Sequence, residues 1–359
     1  MAKSCGVGHP EIVANGIRRL LLMGQMGTSA AHNVPKAQHD VPLVILSLSK
    51  GVFAGWDRYI RGKLMISARL MLFACVIFWG WSFVATKIAL EYVTPVEVMA
   101  LRYLFGLPVL FLILLSKKIK IKFEKRDYKG ILLGTIIITV HFLIQITGLK
   151  YTSATNTGWI ISVTPLVMVV LAYFILKEKI GVKQIVGIVI ATIGIILMVS
   201  KGDLTDLGWL GSVGDWLVLA SAHTWAFYTI VTRDISRRGS PLLVSIAVLT
   251  PSALVIFIYV LFTSDLSKFL VLPLEPLLAL MFLGVFALGL AHWFWQEGIA
   301  ALGAAGAGFF LYLEPLATTA LAVPYLGEKF GLYAAIGGGL VLAGVFVAEK
   351  RRVNSNQES

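Results

Sequence analysis

The stretch ATNTGWIISVTPLVMVVLAYFILKE, residues 154–178, returns in altered form as AAGAGFFLYLEPLATTALAVPYLGE, residues 304–328. At one constant shift (304 − 154 = 150) the pairs are Ala154 and Ala304, Gly158 and Gly308, Pro165 and Pro315, Glu178 and Glu328, and Gly181 and Gly331. Beyond the stretch the same register pairs Gly134 with Gly284, Gly148 with Gly298, Gly187 with Gly337, and Gly194 with Gly344. A second shift (225 − 79 = 146) pairs Trp79, Lys87 and Pro95 with Trp225, Arg233 and Pro241. This pattern indicates a tandem duplication that covers residues 68–200 and 214–349.

The composition places the chain in a lipid bilayer. Hydrophobic residues make up 58% of it, charged residues only 14%, and the mean hydropathy is +0.84. Soluble domains usually have about a quarter charged residues. The formal charge of +12 would suggest nucleic acid in a soluble protein, but here Lys and Arg sit in short loops between apolar runs. We therefore expect a bilayer and a small-molecule substrate as partners, and no nucleic acid.

The apolar runs predict an all-α integral membrane protein with ten transmembrane helices. Each run is near the roughly 20 residues that cross the hydrocarbon core. The predicted segments are 69–89, 97–115, 130–148, 154–175, 183–199, 214–232, 241–262, 277–297, 304–324 and 331–348. Residues 1–66 lie outside the duplication and are interpreted as a disordered leader or as the result of a misplaced start site. Residues 350–359 form a cytoplasmic tail.

The charges of the loops predict the orientation. The cation-rich loops are 116–129, 177–183 and 233–238, and with ten crossings they fall on one side together with the tail and the amino terminus. Positive charge marks the cytoplasmic face, so both termini are expected to be cytoplasmic. Each repeat has five helices, an odd number, and the second copy therefore enters the membrane in the opposite direction. The sequence predicts two five-helix repeats of inverted topology, an arrangement suited to alternating access.

Several motifs resemble a known family. They are Trp79-Gly80 followed by Lys87, Tyr151-Thr152-Ser153-Ala154, Pro165, Lys177-Glu178-Lys179, Tyr312-Leu313-Glu314-Pro315 and Leu326-Gly327-Glu328-Lys329. Together they are similar to the paired EamA domains of the drug/metabolite transporter superfamily, over about Arg69 to Glu349. The resemblance implies a ten-helix carrier in the inner membrane with both termini inside. It also implies the export of amino acids or related metabolites.

Glu314 is the first candidate for transport chemistry. It lies near the middle of the ninth segment, and its partner in the first repeat is Thr164. A carboxylate at this depth costs on the order of 2.5 to 3.5 kcal/mol to insert and therefore needs a reason. One reading is a group that binds protons or cations and couples transport to a gradient. The other is a packed glutamate that braces the helix at Pro315.

Two polar pairs suggest a binding cavity. His141 and Gln145 stand four apart on one face of the third segment, and His292 and Gln296 repeat that spacing in the eighth. The two pairs miss equivalence by one residue (292 − 141 = 151). Imidazole and amide groups could bind the carboxylate or amine of a zwitterion. The alternative is hydrogen bonding between helices.

Aromatic residues add candidate walls at the same depth. We include Trp79, Trp225, Tyr228 and Tyr312 in the predicted cavity, with Ser82 as polar lining. Their rings could receive an aromatic, aliphatic or cationic group. Packing against lipid or protein is the competing interpretation for each of them.

Three further charged residues are interpreted as structural or have two possible roles. Arg102 has no counterpart, since Val248 takes its place, and it either pairs with Glu97 or reaches the cavity. Glu178 is interpreted as part of a structural turn. Arg233 is interpreted as an anchor that reaches the membrane surface.

The favoured function is secondary active export of amino acids or similar metabolites, with proton coupling as one option. An exporter of multiple drugs or cationic compounds is the alternative, and an intramembrane enzyme is a more distant one. The chain has no Walker A pattern, no His-Glu-x-x-His motif and no Gly-x-Ser-x-Gly elbow. We therefore expect no enzyme activity, no cofactor and no metal. Glycines in the fifth and last segments suit close helix packing within one chain or in a homo-oligomer, and the sequence leaves both open.

Overall fold

The computed structural model describes residues 40–119, 121–200, 212–327 and 332–349. Its contacts divide the chain into two units, Met1–Gly62 and Lys63–Ser359. Residues 40–62 of the first unit are helical; they belong to the leader, whose interpretation as disordered or as the result of a misplaced start site stays a prediction. The predictions for residues 1–39, for Glu328 and Gly331, and for the tail at 350–359 lie outside the described residues.

The described residues form helices throughout, without a strand among them. We number the α-helices in chain order. They are α1 (Asp40–Leu90), α2 (Pro95–Lys117), α3 (Asp127–Lys150), α4 (Ala154–Ile161), α5 (Thr164–Phe174), α6 (Val182–Ser200), α7 (Val213–Arg238), α8 (Pro241–Thr263), α9 (Leu274–Phe282), α10 (Ala291–Gly308), α11 (Glu314–Leu326) and α12 (Leu332–Glu349). Two 3₁₀ turns, Leu266–Val271 and Phe309–Leu313, and one π-helical segment, Leu283–Leu290, lie between them.

Among the described residues, six helical segments are long and apolar enough to cross a membrane: Met65–Leu90, Pro95–Lys117, Asp127–Lys150, Ala154–Phe174, Pro241–Thr263 and Leu274–Leu326. The last is 53 residues long and is kinked at the non-helical Gly303. Val182–Leu197 and Ile336–Ala348 are apolar but shorter. The predicted segment 214–232 falls within α7, which is not among the six because polar residues such as Asp215, Ser221 and His223 interrupt it. The multi-pass membrane class therefore holds, while the number of crossings stays a prediction.

Both repeats interrupt a helix at the same place. In the first copy α4 ends at Ile161 and α5 begins at Thr164, with Pro165 in its first turn. In the second copy the 3₁₀ turn Phe309–Leu313 precedes α11, which begins at Glu314 and has Pro315 in its first turn. Proline lacks an N–H and its ring clashes with the preceding turn, so it is best accommodated in the first turn of a helix. Thr164 and Glu314 thus hold equivalent positions at the start of two half-helices.

Glycines bring α6 and α12 into backbone contact. A Cβ on Gly187 would stand 2.5 Å from the carbonyl oxygen of Gly344, and a Cβ on Gly194 would stand 2.6 Å from that of Gly337. Gly187 and Gly337 are repeat equivalents, as are Gly194 and Gly344. Gly187 thus contacts Gly344, and Gly194 contacts Gly337, so the repeat converts one contact into the other. Because the earlier glycine of α6 meets the later glycine of α12, the two helices run antiparallel. Such close approach is the usual role of small residues between membrane helices.

We predict that Gly187→Ala destabilises the protein. The new methyl would also stand 2.7 Å from Ala348 Cβ and 2.9 Å from its backbone nitrogen, so α6 and α12 must move apart. Overpacking of this kind usually costs about 1–3 kcal/mol. Thermal unfolding of the purified protein in detergent measures the effect. Gly339→Ala on α12 is the control, because nothing lies within 4 Å of its Cβ position. Equal unfolding temperatures for the two variants would contradict this packing.

Candidate functional site

A cavity lies between helices of the first and second repeats. The side chains around it leave about 410 Å³ of space, a figure that includes the open mouth of the cavity. Its lining residues come from α1 to α4, the start of α5, α7, α10, the second 3₁₀ turn and α11: Trp79, Ser82, Phe83, Arg102, His141, Phe142, Gln145, Ile161, Thr164, Ala222, Trp225, His292, Leu311 and Glu314.

Two tryptophans from equivalent positions form one wall of this cavity. The ring centroids of Trp79 and Trp225 are 4.8 Å apart with an interplanar angle of 82°. His292 stands edge-on to both, at 5.7 Å from Trp79 and 5.6 Å from Trp225. Edge-to-face packing of this kind is the favourable geometry for aromatic pairs. Trp79 is fixed by its Nε1, which donates to the carbonyl of Ala287 at 2.9 Å.

The polar pair on α3 faces the cavity. His141 is buried, and its Nδ1 lies 3.0 Å from the carbonyl oxygen of Ser221 and 3.2 Å from Thr224 Oγ1, both on α7. Gln145, one turn later, lines the same space, as residues four apart on a helix should. Ser82 also lines it, and its hydroxyl donates to the carbonyl of Trp79 at 2.7 Å. This half of the predicted site comes together in the structure.

The pair on α10 is divided. His292 lines the cavity, whereas Gln296 is packed against α7, where it accepts from Ser236 Oγ at 2.6 Å and donates to Tyr228 Oη at 2.8 Å. His292 and Gln296 both follow the π-helical segment Leu283–Leu290, so that segment does not separate them. Gln296 lies one turn further along α10, where hydroxyl groups of α7 bind its amide. Gln296 and Tyr228 bind each other there and are outside the cavity lining.

Tyr312 also lies outside the lining. Its side chain is buried and its hydroxyl lies 3.4 Å from Thr192 Oγ1 on α6, so it packs towards that helix. Tyr312 belongs to the 3₁₀ turn Phe309–Leu313, where three residues make one turn. In that turn its neighbour Leu311 lines the cavity instead.

Glu314 and its repeat partner meet in the cavity. Both Glu314 and Thr164 are buried, at 3% and 0% exposed, and both line this space from the starts of their half-helices. The backbone carbonyl of Glu314 accepts from Thr318 Oγ1 at 2.9 Å, but within the described ranges no group donates to its carboxylate. Glu314 is therefore a buried acid whose carboxylate is available to a ligand or water in the cavity.

The cavity gathers unsatisfied polar atoms. In the part of the chain that the structure describes, Arg102 Nε, Thr164 Oγ1, Trp225 Nε1 and both ring nitrogens of His292 make no hydrogen bond of ordinary geometry. Buried polar atoms of folded proteins are nearly always paired, and exceptions call for an explanation such as a ligand or water. Their position around one cavity makes it the best candidate for a binding site.

The sequence left open whether Arg102 pairs with Glu97 or reaches the cavity, and in the structure it lines the cavity. Its other candidate partner, Glu97, is bound to Lys268 Nζ at 2.6 Å. Arg102 lies over the ring of Phe142, 4.8 Å from the centroid. In the sequence, Arg102 stands out because it is a single arginine within an apolar segment. The apolar residues of the lining, such as Phe83 and Ile161, cannot be recognised in this way, because they look like any other packed apolar residue.

A second cluster joins the repeats away from the cavity. Arg233 donates to Glu178 Oε1 at 2.9 Å, and the two side chains are only 12% and 14% exposed. The same carboxylate lies 3.3 Å and 3.4 Å from the backbone nitrogens of Ala304 and Ala305, directly after Gly303 with its φ of +76°. Glu178 therefore caps a helix of the other repeat in addition to ending its own. Arg233 is an ion-pair partner and does not extend to the surface as an anchor.

Comparisons with known proteins agree with this architecture. The model of the EamA-like transporter family matches residues 66–200 and again 212–349. The uncharacterized transporter YyaM of Bacillus subtilis is 29% identical over 282 residues, which cover 78% of this chain and 92% of that protein. An uncharacterized transporter of Methanothermobacter thermautotrophicus is 28% identical over 293 residues, covering 77% of this chain and 84% of the other.

A solved protein structure shares the fold. It superimposes with a TM-score of 0.64 at 20% sequence identity, over 79% of this chain and 98% of the other. Both copies of the duplicated unit thus match one family model, and the relatives of nearly full length are named as transporters. The chain belongs to the EamA-like transporter family of the drug/metabolite transporter superfamily and is a multi-pass membrane transporter.

Proposed function

We propose that the protein is a secondary active transporter that exports amino acids or related small metabolites across the cytoplasmic membrane. The cavity carries this proposal, because both repeats contribute to it and it holds a buried carboxylate, Glu314, that no described group pairs. The direction of transport and the amino-acid class rest on the resemblance to the EamA exporters. Proton coupling rests on Glu314, since a charge in this position needs a proton or a bound cation to offset it.

Alternating access would follow from inverted repeats, and the packing of α6 and α12 supports them. The helices α6 and α12 are equivalent in the two repeats and run antiparallel, and each of their two glycine contacts is the repeat equivalent of the other. Two such helices are related by a two-fold axis that is perpendicular to both. For helices that cross a membrane, such an axis lies in the plane of the bilayer. The half-helices that begin at Thr164 and Glu314 supply a further feature of such carriers, whose sites form where helices are broken. Ten crossings with both termini in the cytoplasm complete this proposal.

Export of cationic drugs is the second candidate. The wall of Trp79, Trp225 and His292 and the carboxylate of Glu314 could together receive a cationic aromatic compound. Arg102 in the same cavity opposes this, because its charge repels a cation. We therefore place amino acids ahead of cationic drugs.

We predict that Glu314→Gln abolishes uptake driven by a proton gradient. The amide keeps the shape of the side chain but cannot exchange a proton. Inside-out membrane vesicles, acidified inside and given labelled aromatic, aliphatic and hydroxylated amino acids and a cationic dye, provide the assay. We expect at least a tenfold loss of gradient-driven uptake at equal protein content. The control is Glu297→Gln, since Glu297 binds Trp293 Nε1 at 2.9 Å and is not part of the lining. Normal uptake by Glu314→Gln would refute the coupling role.

We predict that the two glutamines of the sequence pattern behave differently. Gln145→Leu changes the cavity lining, so it should raise the KM for transport several-fold with little change in thermal stability. Gln296→Leu removes hydrogen bonds to Ser236 and Tyr228, each worth about 0.6 kcal/mol in membranes, and should mainly lower stability. Uptake kinetics and thermal unfolding of both variants test this. A specific effect of Gln296→Leu on KM alone would place Gln296 in the site after all.

We predict that equivalent positions of the two repeats face opposite sides of the membrane. Glu91 and Arg237 are related by the shift of the repeats (237 − 91 = 146), and both are exposed. In a background without Cys5 and Cys75, we expect Glu91→Cys in intact cells to react with a membrane-impermeant maleimide. Arg237→Cys should react only after permeabilisation, because it lies beside the cation-rich face. Labelling of both from the same side would rule out inverted repeats.

A further inference from the structure

We propose that Arg102 is the anion-binding residue of the cavity and that the substrate is a monocarboxylate which presents its carboxylate to this guanidinium. In the zwitterion of an amino acid, the ammonium group would then face Glu314. The inference deepens the proposed function and rests on it for the role of the cavity in transport. The site itself can be tested without transport.

The first observation is that Arg102 is buried without a counter-ion. Its residue is 3% exposed, and none of the ion pairs between described residues includes it. Other partly buried cations of this unit are paired: Arg233 with Glu178, Arg238 with Asp127, and Lys268 with Glu97. A buried charge that lacks a partner is costly. A substrate anion would supply the partner that the described residues do not.

The second observation concerns the two possible internal partners. Glu97 lies one turn and a half earlier on α2, but it is bound to Lys268 at 2.6 Å and accepts from the backbone nitrogen of Thr94 at 2.8 Å. Glu314 lines the same cavity as Arg102, yet the two make no ion pair within 4.0 Å. The cavity thus holds one cation and one anion that do not neutralise each other directly.

The third observation is the way in which the guanidinium is held. Cζ of Arg102 lies over the ring of Phe142, 4.8 Å from its centroid. This cation–π contact holds the guanidinium in place without using any of its N–H donors in a hydrogen bond. The planar edge of arginine matches a carboxylate through two parallel hydrogen bonds. Phe142 therefore acts as a positioning residue for Arg102.

The charge of the lining selects the class of anion. Arg102 is the single lysine or arginine among the residues that line the cavity in the described ranges. One guanidinium offsets one negative charge, whereas a phosphate dianion would need at least one further cation. The two charges also come from different repeats, Arg102 where the second copy has Val248 and Glu314 where the first copy has Thr164. This arrangement fits a dipolar monocarboxylate.

Thermal unfolding of the purified protein in detergent tests the site with matched probes. The probes are neutral amino acids, the corresponding amino-acid amides, and inorganic phosphate. For wild type we expect stabilisation by at least one amino acid, at concentrations at least tenfold lower than its amide requires, and no stabilisation by phosphate. Arg102→Met should lose the response to the amino acid, and Arg102→Lys should keep part of it. Arg237→Gln is the control, because Arg237 is exposed and lies outside the lining.

The ligand-free proteins separate binding from folding. Because Arg102 makes no hydrogen bond or ion pair with a described residue, Arg102→Met should unfold at the wild-type temperature or above it. A purely structural arginine would show the opposite. The proposal is overturned if amide and amino acid stabilise alike, if no carboxylate stabilises wild type, if Arg102→Met responds as wild type does, or if its ligand-free form unfolds well below wild type. Vesicle uptake of the same probes is scored separately: a carboxylate-dependent shift without uptake would reject export and keep the site.

Discussion

A charged or polar side chain inside a bilayer has no water to bind, and this constraint organises the structure. Among the described residues, several ionic groups satisfy it by pairing: Glu97 with Lys268, Asp127 with Arg238, and Glu178 with Arg233. Arg102 and Glu314 are buried without such a pair between described residues, and they line the same cavity. An unpaired ionic group at this depth needs a ligand, water or a proton. The two unpaired side chains therefore mark the cavity as the candidate binding site.

The same constraint acts on the backbone. A helix satisfies its own N–H and C=O groups, so an interruption must lie against protein or beside a cavity. Both interruptions before Pro165 and Pro315 meet this condition, since Thr164 and Glu314 line the cavity. The helix is also interrupted at Gly303, and there the free backbone N–H groups are satisfied by a side chain. Glu178 of the first repeat reaches the backbone nitrogens of Ala304 and Ala305, and thereby ties the two copies together.

The parts of this architecture that were predictable from the sequence are those that depend on periodicity and on proline. The apolar runs located the helices, and the repeated prolines mark the equivalent positions at which the structure interrupts two of them. The spacing of His141 and Gln145 placed them on one face of a regular helix, and both line the cavity. The same argument failed for Gln296, because helical spacing does not show which groups of a neighbouring helix will bind a side chain, and here Ser236 and Tyr228 of α7 bind the amide. Tyr312 was misplaced because its 3₁₀ turn does not follow the period of an α-helix.

The residues that would carry function are the ones in which the two copies differ. Trp79 and Trp225, which are equivalent, build a common wall, and equivalent glycines pack α6 on α12. In the proposed alternating-access mechanism, these shared residues would supply the symmetric frame that two access states of similar energy need. The charges break that symmetry, because Arg102 has only Val248 as its counterpart and Glu314 has only Thr164. A ligand bound between Arg102 and Glu314 would therefore have one preferred orientation, with its anionic end towards the first repeat and its cationic end towards the second.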